Sequence, residues 1–184
     1  FLTFHEAGGD LEYSIVSNPV KDAVNASRRC GLVVSGGSQW EFLWSEPYGK
    51  NFDFTANPPV FRMKVLSPRK GVKVYMKLES SDYPSVAPPK EVQNVVTTKE
   101  GCWEDLVFDF RSLDPASNRY NKFVLLFDAG GTGKGEEWYF DEIRVPDDDL
   151  TEISLFKRWE GNPVLSPVDG PDDWMNTHIA NAAV

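Results

Sequence analysis

The stretch Val60-Phe-Arg-Met-Lys-Val-Leu-Ser-Pro-Arg-Lys-Gly-Val-Lys-Val-Tyr-Met-Lys-Leu78 sets two alternating segments on either side of a break, Ser67-Pro-Arg-Lys-Gly71. Phe61, Met63 and Val65 share one side of the first segment, opposite Arg62 and Lys64. Val72, Val74, Met76 and Leu78 share one side of the second, opposite Lys73, Tyr75 and Lys77. A period of two in β-branched and aromatic residues marks strands with one face in a core and one in water. Ser, Pro and Gly in the break supply turn chemistry. The stretch reads as two strands with an apolar side in common and a polar side in common.

The same rhythm recurs outward from this stretch. Gln39–Ser45 alternates, with Trp40, Phe42 and Trp44 on one side. That bulky apolar stripe is assigned to the core. Leu106–Phe110, Phe123–Phe127 and Trp138–Val145 are further strands. Turn residues separate them at Ser35-Gly-Gly-Ser38, Asn57-Pro-Pro59 and Gly130-Gly-Thr-Gly-Lys-Gly135. No long helical stripe with caps is present. Short strands with frequent turns point to an all-β, antiparallel β-sandwich, and the strand number and spacing favour a jelly roll. The Pro- and Ser-rich segment 80–90 reads as a surface loop. An apolar strand ends in the charge run Pro146-Asp-Asp-Asp149, so the sandwich is expected over residues 1–146, with 147–184 a linker and the start of a second domain.

Composition removes several functions. The net charge is -9, which argues against binding to phosphate backbones or anionic lipid, so no nucleic-acid partner is expected. No apolar run approaches the roughly 18 residues of a membrane span. The opening Phe1-Leu-Thr-Phe-His-Glu6 carries no signal-peptide pattern, as in a mature secreted chain or equally in a trimmed one. Cys30 and Cys102 read as two separate thiols, and with only His5 and His178 beside them a zinc site has no support. Gly130–Gly135 is not a P-loop, because Gly135 stands where Ser or Thr is required and a strand follows instead of a helix. Asp105 and Asp109 share a strand face but lie roughly 13 Å apart along it, too far for a glycosidase pair. No catalytic residue is assigned.

Two groups of residues suggest binding. On the polar side of the opening stretch, Arg62, Lys64, Tyr75 and Lys77 combine an aromatic ring with cationic donors. Trp103 and Asp105 project opposite Leu106 and Phe108 and extend the same surface. Pyranose rings stack their C–H faces on aromatic rings, and their hydroxyls bond charged and amide side chains. These six are the candidate carbohydrate-binding residues, with a plain solvated sheet face as the alternative. The second group is acidic. Asp141 shares a strand face with Tyr139, Ile143 and Val145, where a lone carboxylate is costly. Glu6, Asp141 and carbonyls of Asn18–Asn25 would supply oxygens for calcium. Capping of a loop amide by Asp141, or its pairing with a basic residue, explains the same position.

Several segments resemble one family. Phe4-His-Glu6 and Ser17-Asn-Pro-Val-Lys-Asp-Ala-Val-Asn-Ala-Ser27 resemble the opening of jelly-roll carbohydrate-binding modules attached to secreted bacterial polysaccharide-degrading enzymes. Trp103–Phe110, Tyr120–Asp128 and Trp138–Ile143 are similar to their later strands, so the resemblance spans residues 4–146. It implies a galactose-binding-domain-like sandwich and a structural calcium held by Glu6 and Asp141. It carries over no binding aromatic. In the tail, Asn162-Pro-Val-Leu165, Trp174 and His178–Val184 resemble the beginning of a five-bladed propeller glycoside hydrolase.

The expectation is a non-catalytic module that holds an attached glycoside hydrolase on its polysaccharide or oligosaccharide, in a secreted, periplasmic or cell-surface setting. Two alternatives stand. One is a structural module packed on its own hydrolase domain. The other is a jelly-roll polysaccharide lyase, which needs a proton-abstracting cluster that only Tyr75 with Arg62 suggests.

Overall fold

The computed structural model describes residues 2–82 and 87–144 of the 184. Ten strands follow one another: β1 (Phe4–Ala7), β2 (Glu12–Ser17), β3 (Arg29–Gly36), β4 (Phe42–Ser45), β5 (Val60–Leu66), β6 (Lys73–Glu79), β7 (Lys90–Val96), β8 (Trp103–Asp109), β9 (Lys122–Phe127) and β10 (Lys134–Arg144). They form two antiparallel sheets. The front sheet runs β1-β4-β9-β6-β7 and the back sheet β2-β3-β10-β5-β8. Only β2–β3 and β6–β7 pair strands adjacent in sequence, so the other connections between these strands cross over, as in a jelly roll. The expected all-β sandwich is present. The domain boundary at 146, the tail 147–184 and the propeller resemblance lie outside the described residues.

The core lies between the sheets and follows the two-residue rhythm. Phe61, Met63 and Val65 of β5 enter it from the back sheet, with Leu106 and Phe108 of β8 and Trp138 and Phe140 of β10. Leu43, Val74, Met76, Leu78, Phe123, Leu125 and Phe127 enter from the front sheet. Phe52, from the connection after β4, inserts between them, with ring centroids 5.4 Å from Phe61 and 5.0 Å from Phe123. Each fully buried Phe contributes about 1.5–3 kcal/mol by burial. Gly31 of β3 sits opposite Phe140, and a Cβ there would stand 2.5 Å from the Phe140 ring. The absent side chain makes room for that ring on the sheet.

The opening stretch folds differently from expectation at one point. β5 belongs to the back sheet and β6 to the front sheet, so Ser67–Gly71 carries the chain from one sheet to the other. Backbone and side-chain bonds hold the crossover: Gly71 N donates to Thr97 O at 2.8 Å, Val72 N to Thr97 Oγ1 at 3.1 Å and Gly101 N to Ser67 O at 2.8 Å. The apolar sides of β5 and β6 still meet, but across the core. Their polar sides therefore point to opposite exteriors of the molecule.

Four strands, β1, β2, β3 and β7, went unassigned in the sequence. β1 and β7 are the edges of the front sheet and β2 is an edge of the back sheet. β2 buries none of its residues, so it shows no alternation to read.

Candidate functional site: a groove on the front sheet

The outer face of the front sheet holds a groove of about 540 Å³. Trp40, Phe42 and Trp44 form one wall, Val124 and Leu126 line the groove from β9, and Lys77, Glu79, Glu91, Gln93 and Lys122 supply polar groups. The wall comes from β4 and the turn before it. Leu43 faces the core, so Phe42 and Trp44 face out. They pack on a second small apolar cluster, Tyr75, Val124, Leu126 and Ala129, outside the sandwich core. The assignment of Trp40, Phe42 and Trp44 to the core is thereby corrected. The reason lies in their neighbours. Glu41 and Ser45 point inward and are buried because each satisfies backbone amides: Glu41 accepts from Gly36 N at 2.9 Å, and Ser45 Oγ accepts from Phe123 N at 2.9 Å.

Among the described residues Trp40 is the most open aromatic, 58% exposed. Its turn is held on several sides. Glu41 also accepts from Ser38 N at 3.4 Å, and Gly130 N donates to Gln39 O at 3.0 Å. Gly8, at φ 86°, lets β1 pass the turn, since a Cβ there would stand 2.7 Å from Trp40 O. Trp44 is more enclosed. The His5 ring stacks on it with centroids 4.4 Å apart, and Lys122 Nζ lies 4.6 Å from its centroid. His5 Nε2 donates to Glu46 Oε1 at 2.7 Å, which fixes the imidazole. Lys77 Nζ pairs with Glu79 Oε1 at 3.1 Å. Two ammonium groups and two carboxylates line the groove, so it carries no net charge.

Of the six expected carbohydrate residues, Lys77 lines this groove and Tyr75 lies beneath it, 6% exposed. Arg62, Lys64, Trp103 and Asp105 are on the back sheet, so the six do not form one surface. Arg62 Nη1 donates to Asp105 Oδ2 at 3.1 Å, and Lys64 Nζ meets Glu142 Oε2 at 2.6 Å. Trp103 does lie on the outer side of β8, but residues 18–28 fold over it and bury it fully. Its Nε1 donates to Val20 O at 2.6 Å and Asn18 Oδ1 at 3.2 Å. It packs with Cys30 and Leu66, and Cys30 and Cys102 are both free thiols.

Glu6 and Asp141 do not converge. Glu6 Oε1 accepts from Tyr13 N at 3.0 Å, tying β1 to β2. Asp141 Oδ2 accepts from Asn25 Nδ2 at 3.0 Å, and Oδ1 from Glu142 N at 2.8 Å. Tyr13 and Trp138 both pair with Val33, so the Glu6 anchor is two strands and three residues from Asp141, roughly 14 Å. Among the described residues no group of three His, Cys, Asp or Glu is placed to hold a metal ion. The donor set does not fit a calcium shared by Glu6 and Asp141. Amide capping is the role Asp141 has.

Comparison with known proteins extends the geometry. The chain is similar in structure to the family 30 carbohydrate-binding module of the cellulosomal cellulase Cel9D-Cel44B of Clostridium thermocellum, with TM-score 0.55, 11% identity, and 80% of this chain and 92% of that chain covered. It is also similar to the CBM22-2 xylan-binding domain of Paenibacillus barcinonensis Xyn10C, with TM-score 0.50, 10% identity, and coverage of 78% and 90%. Against the CBM22-1–GH10 structure of Clostridium thermocellum Xyn10B, at TM-score 0.48 and 13% identity, 76% of this chain is covered but only 25% of that chain. No protein-family model and no curated protein sequence matches. The fold is the jelly-roll β-sandwich of carbohydrate-binding modules. Among the described residues no helix is long and apolar enough to cross a membrane.

Proposed function

We propose that this chain is a non-catalytic carbohydrate-binding module and that the front-sheet groove is its site. The observation that carries the proposal is the wall of Trp40, Phe42 and Trp44 facing out beside Lys77, Glu79, Glu91 and Gln93. A polysaccharide offers apolar C–H faces to such rings and hydroxyls to such polar groups. Trp40, from the turn before β4, and Trp44, on β4, both line the groove, so it offers aromatic rings at more than one position along a polymer. The similarity to a xylan-binding domain and to a module of a cellulase supports β-linked polysaccharide as the ligand class.

In this reading the module serves an attached glycoside hydrolase outside the cell. Tethering raises the local concentration of the enzyme at its polymer without adding chemistry. The lyase alternative loses its basis, because Arg62 is on the back sheet while Tyr75 is buried in the front sheet.

Affinity electrophoresis in gels containing soluble xylan or mixed-linkage β-glucan tests the proposal. Retardation of the wild type in either gel, abolished in Trp40→Ala, is expected. Unretarded migration of a folded wild type in both gels, and no binding to insoluble cellulose, would refute it.

A further inference from the structure

Trp44 is covered on both flanks in the ligand-free protein. His5 reaches it from β1 and Lys122 from β9, the two strands that flank β4 in the front sheet. Lys122 lines the groove together with Trp44, whereas His5 does not, and the Lys122 ammonium lies 4.6 Å from the Trp44 ring centroid. A sugar can stack on Trp44 only after that ammonium leaves. Lys122 has no ion pair among the described residues, and the ring is its observed partner there. A second station is at hand. Lys122 and Glu79 are direct partners across the β6–β9 ladder, where opposed Cβ atoms lie about 5 Å apart. Glu79 also holds Lys77 and can accept another donor on its second oxygen.

We propose that Lys122 is a latch on the Trp44 subsite: it covers the ring in the free protein and moves to Glu79 when a sugar ring takes its place. The inference rests on the glycan reading of the groove. It makes Lys122 a specificity-determining residue whose removal tightens binding. A direct sugar contact by Lys122 would do the opposite. Lys122→Ala should bind soluble xylan or mixed-linkage β-glucan about two- to fivefold more tightly than wild type, the size of an exposed cation–π contact. Lys122→Arg retains a cation for the ring and should show no gain.

Calorimetric titration of wild type, Lys122→Ala and Lys122→Arg with each polysaccharide reads the affinities. Acrylamide quenching of Trp44 in the absence of glycan, taken as the difference between each protein and its Trp44→Phe counterpart, reads the cover directly. Higher quenching and higher affinity in Lys122→Ala, with neither in Lys122→Arg, is the expected result. Unchanged quenching, or equal or weaker binding by Lys122→Ala, overturns the latch. Higher quenching with no polysaccharide bound by any variant would keep Lys122 as the cover of Trp44 and refute the glycan reading alone.

Discussion

Trp103 and Trp40 show how far a residue's role depends on what lies over it. Both sit on outward sides of strands or their approaches, yet Trp103 is fully buried and Trp40 is more than half exposed. The difference is the 18–28 segment, pinned by Asn18 and Asn25 through bonds to Ser27 O at 3.0 Å and to Asp141 Oδ2 at 3.0 Å. Period-two patterning tells which side of a strand a residue takes. It does not tell whether a loop returns to cover that side, so Trp103 was legible as outward and illegible as buried. Denaturant unfolding of Trp103→Ala should show a loss of about 3–5 kcal/mol. Asn25→Ala, which removes the donor to Asp141 Oδ2 and leaves only Glu142 N on Oδ1, should cost about 1–3 kcal/mol in the same assay. Trp40→Ala should shift stability by no more than about 0.5 kcal/mol while abolishing glycan retardation.

At the scale of elements, β5, β6, β8 and β9 fall where the sequence pattern places strands, whereas β10 begins at Lys134, inside the segment read as a turn, four residues before its expected start at Trp138. β4 was readable as a strand but not by side, because its inward Glu41 and Ser45 act as partners for backbone amides. Sheet membership was not readable either. A break such as Ser67–Gly71 can close a hairpin or cross the sandwich, and the bonds that decide it come from Thr97, far along the chain. β10 adds a testable electrostatic feature where its register with β5 shifts between Asp141 and Arg144. Burial of Glu142 there would raise its pKa, but hydrogen bonds from Lys64 and Arg144 outweigh burial and hold it below the ordinary 4.5. A lowered folded pKa means the contribution is present above the unfolded value and is lost as pH falls through the folded one. Melting temperature measured from neutral pH downward should therefore fall more gently below about pH 4.5 in Lys64→Met than in wild type. Parallel curves would show that the pair contributes nothing to acid sensitivity.

For the whole molecule, two exteriors of one sandwich carry different chemistry. On the back sheet Arg62 pairs with Asp105 and Lys64 with Glu142, and the outer tryptophan of β8 is buried. The front sheet leaves aromatic rings and polar groups open along a groove. The shared Phe-rich core holds the two sheets together, and the separation of Glu6 from Asp141 speaks only against a calcium held by both of those carboxylates. A melting temperature equal in EDTA and in millimolar calcium is expected, and a calcium-dependent rise would require a metal site that Glu6 and Asp141 do not form. The assignment of ligand binding to the front sheet is tested most directly by NMR titration of the labelled protein with xylan- or β-glucan-derived oligosaccharides. Shift changes should gather on Trp40, Phe42, Trp44, Lys77, Gln93 and Lys122. Changes gathered instead on Arg62, Lys64, Asp105 and Val107 of the back sheet would contradict it.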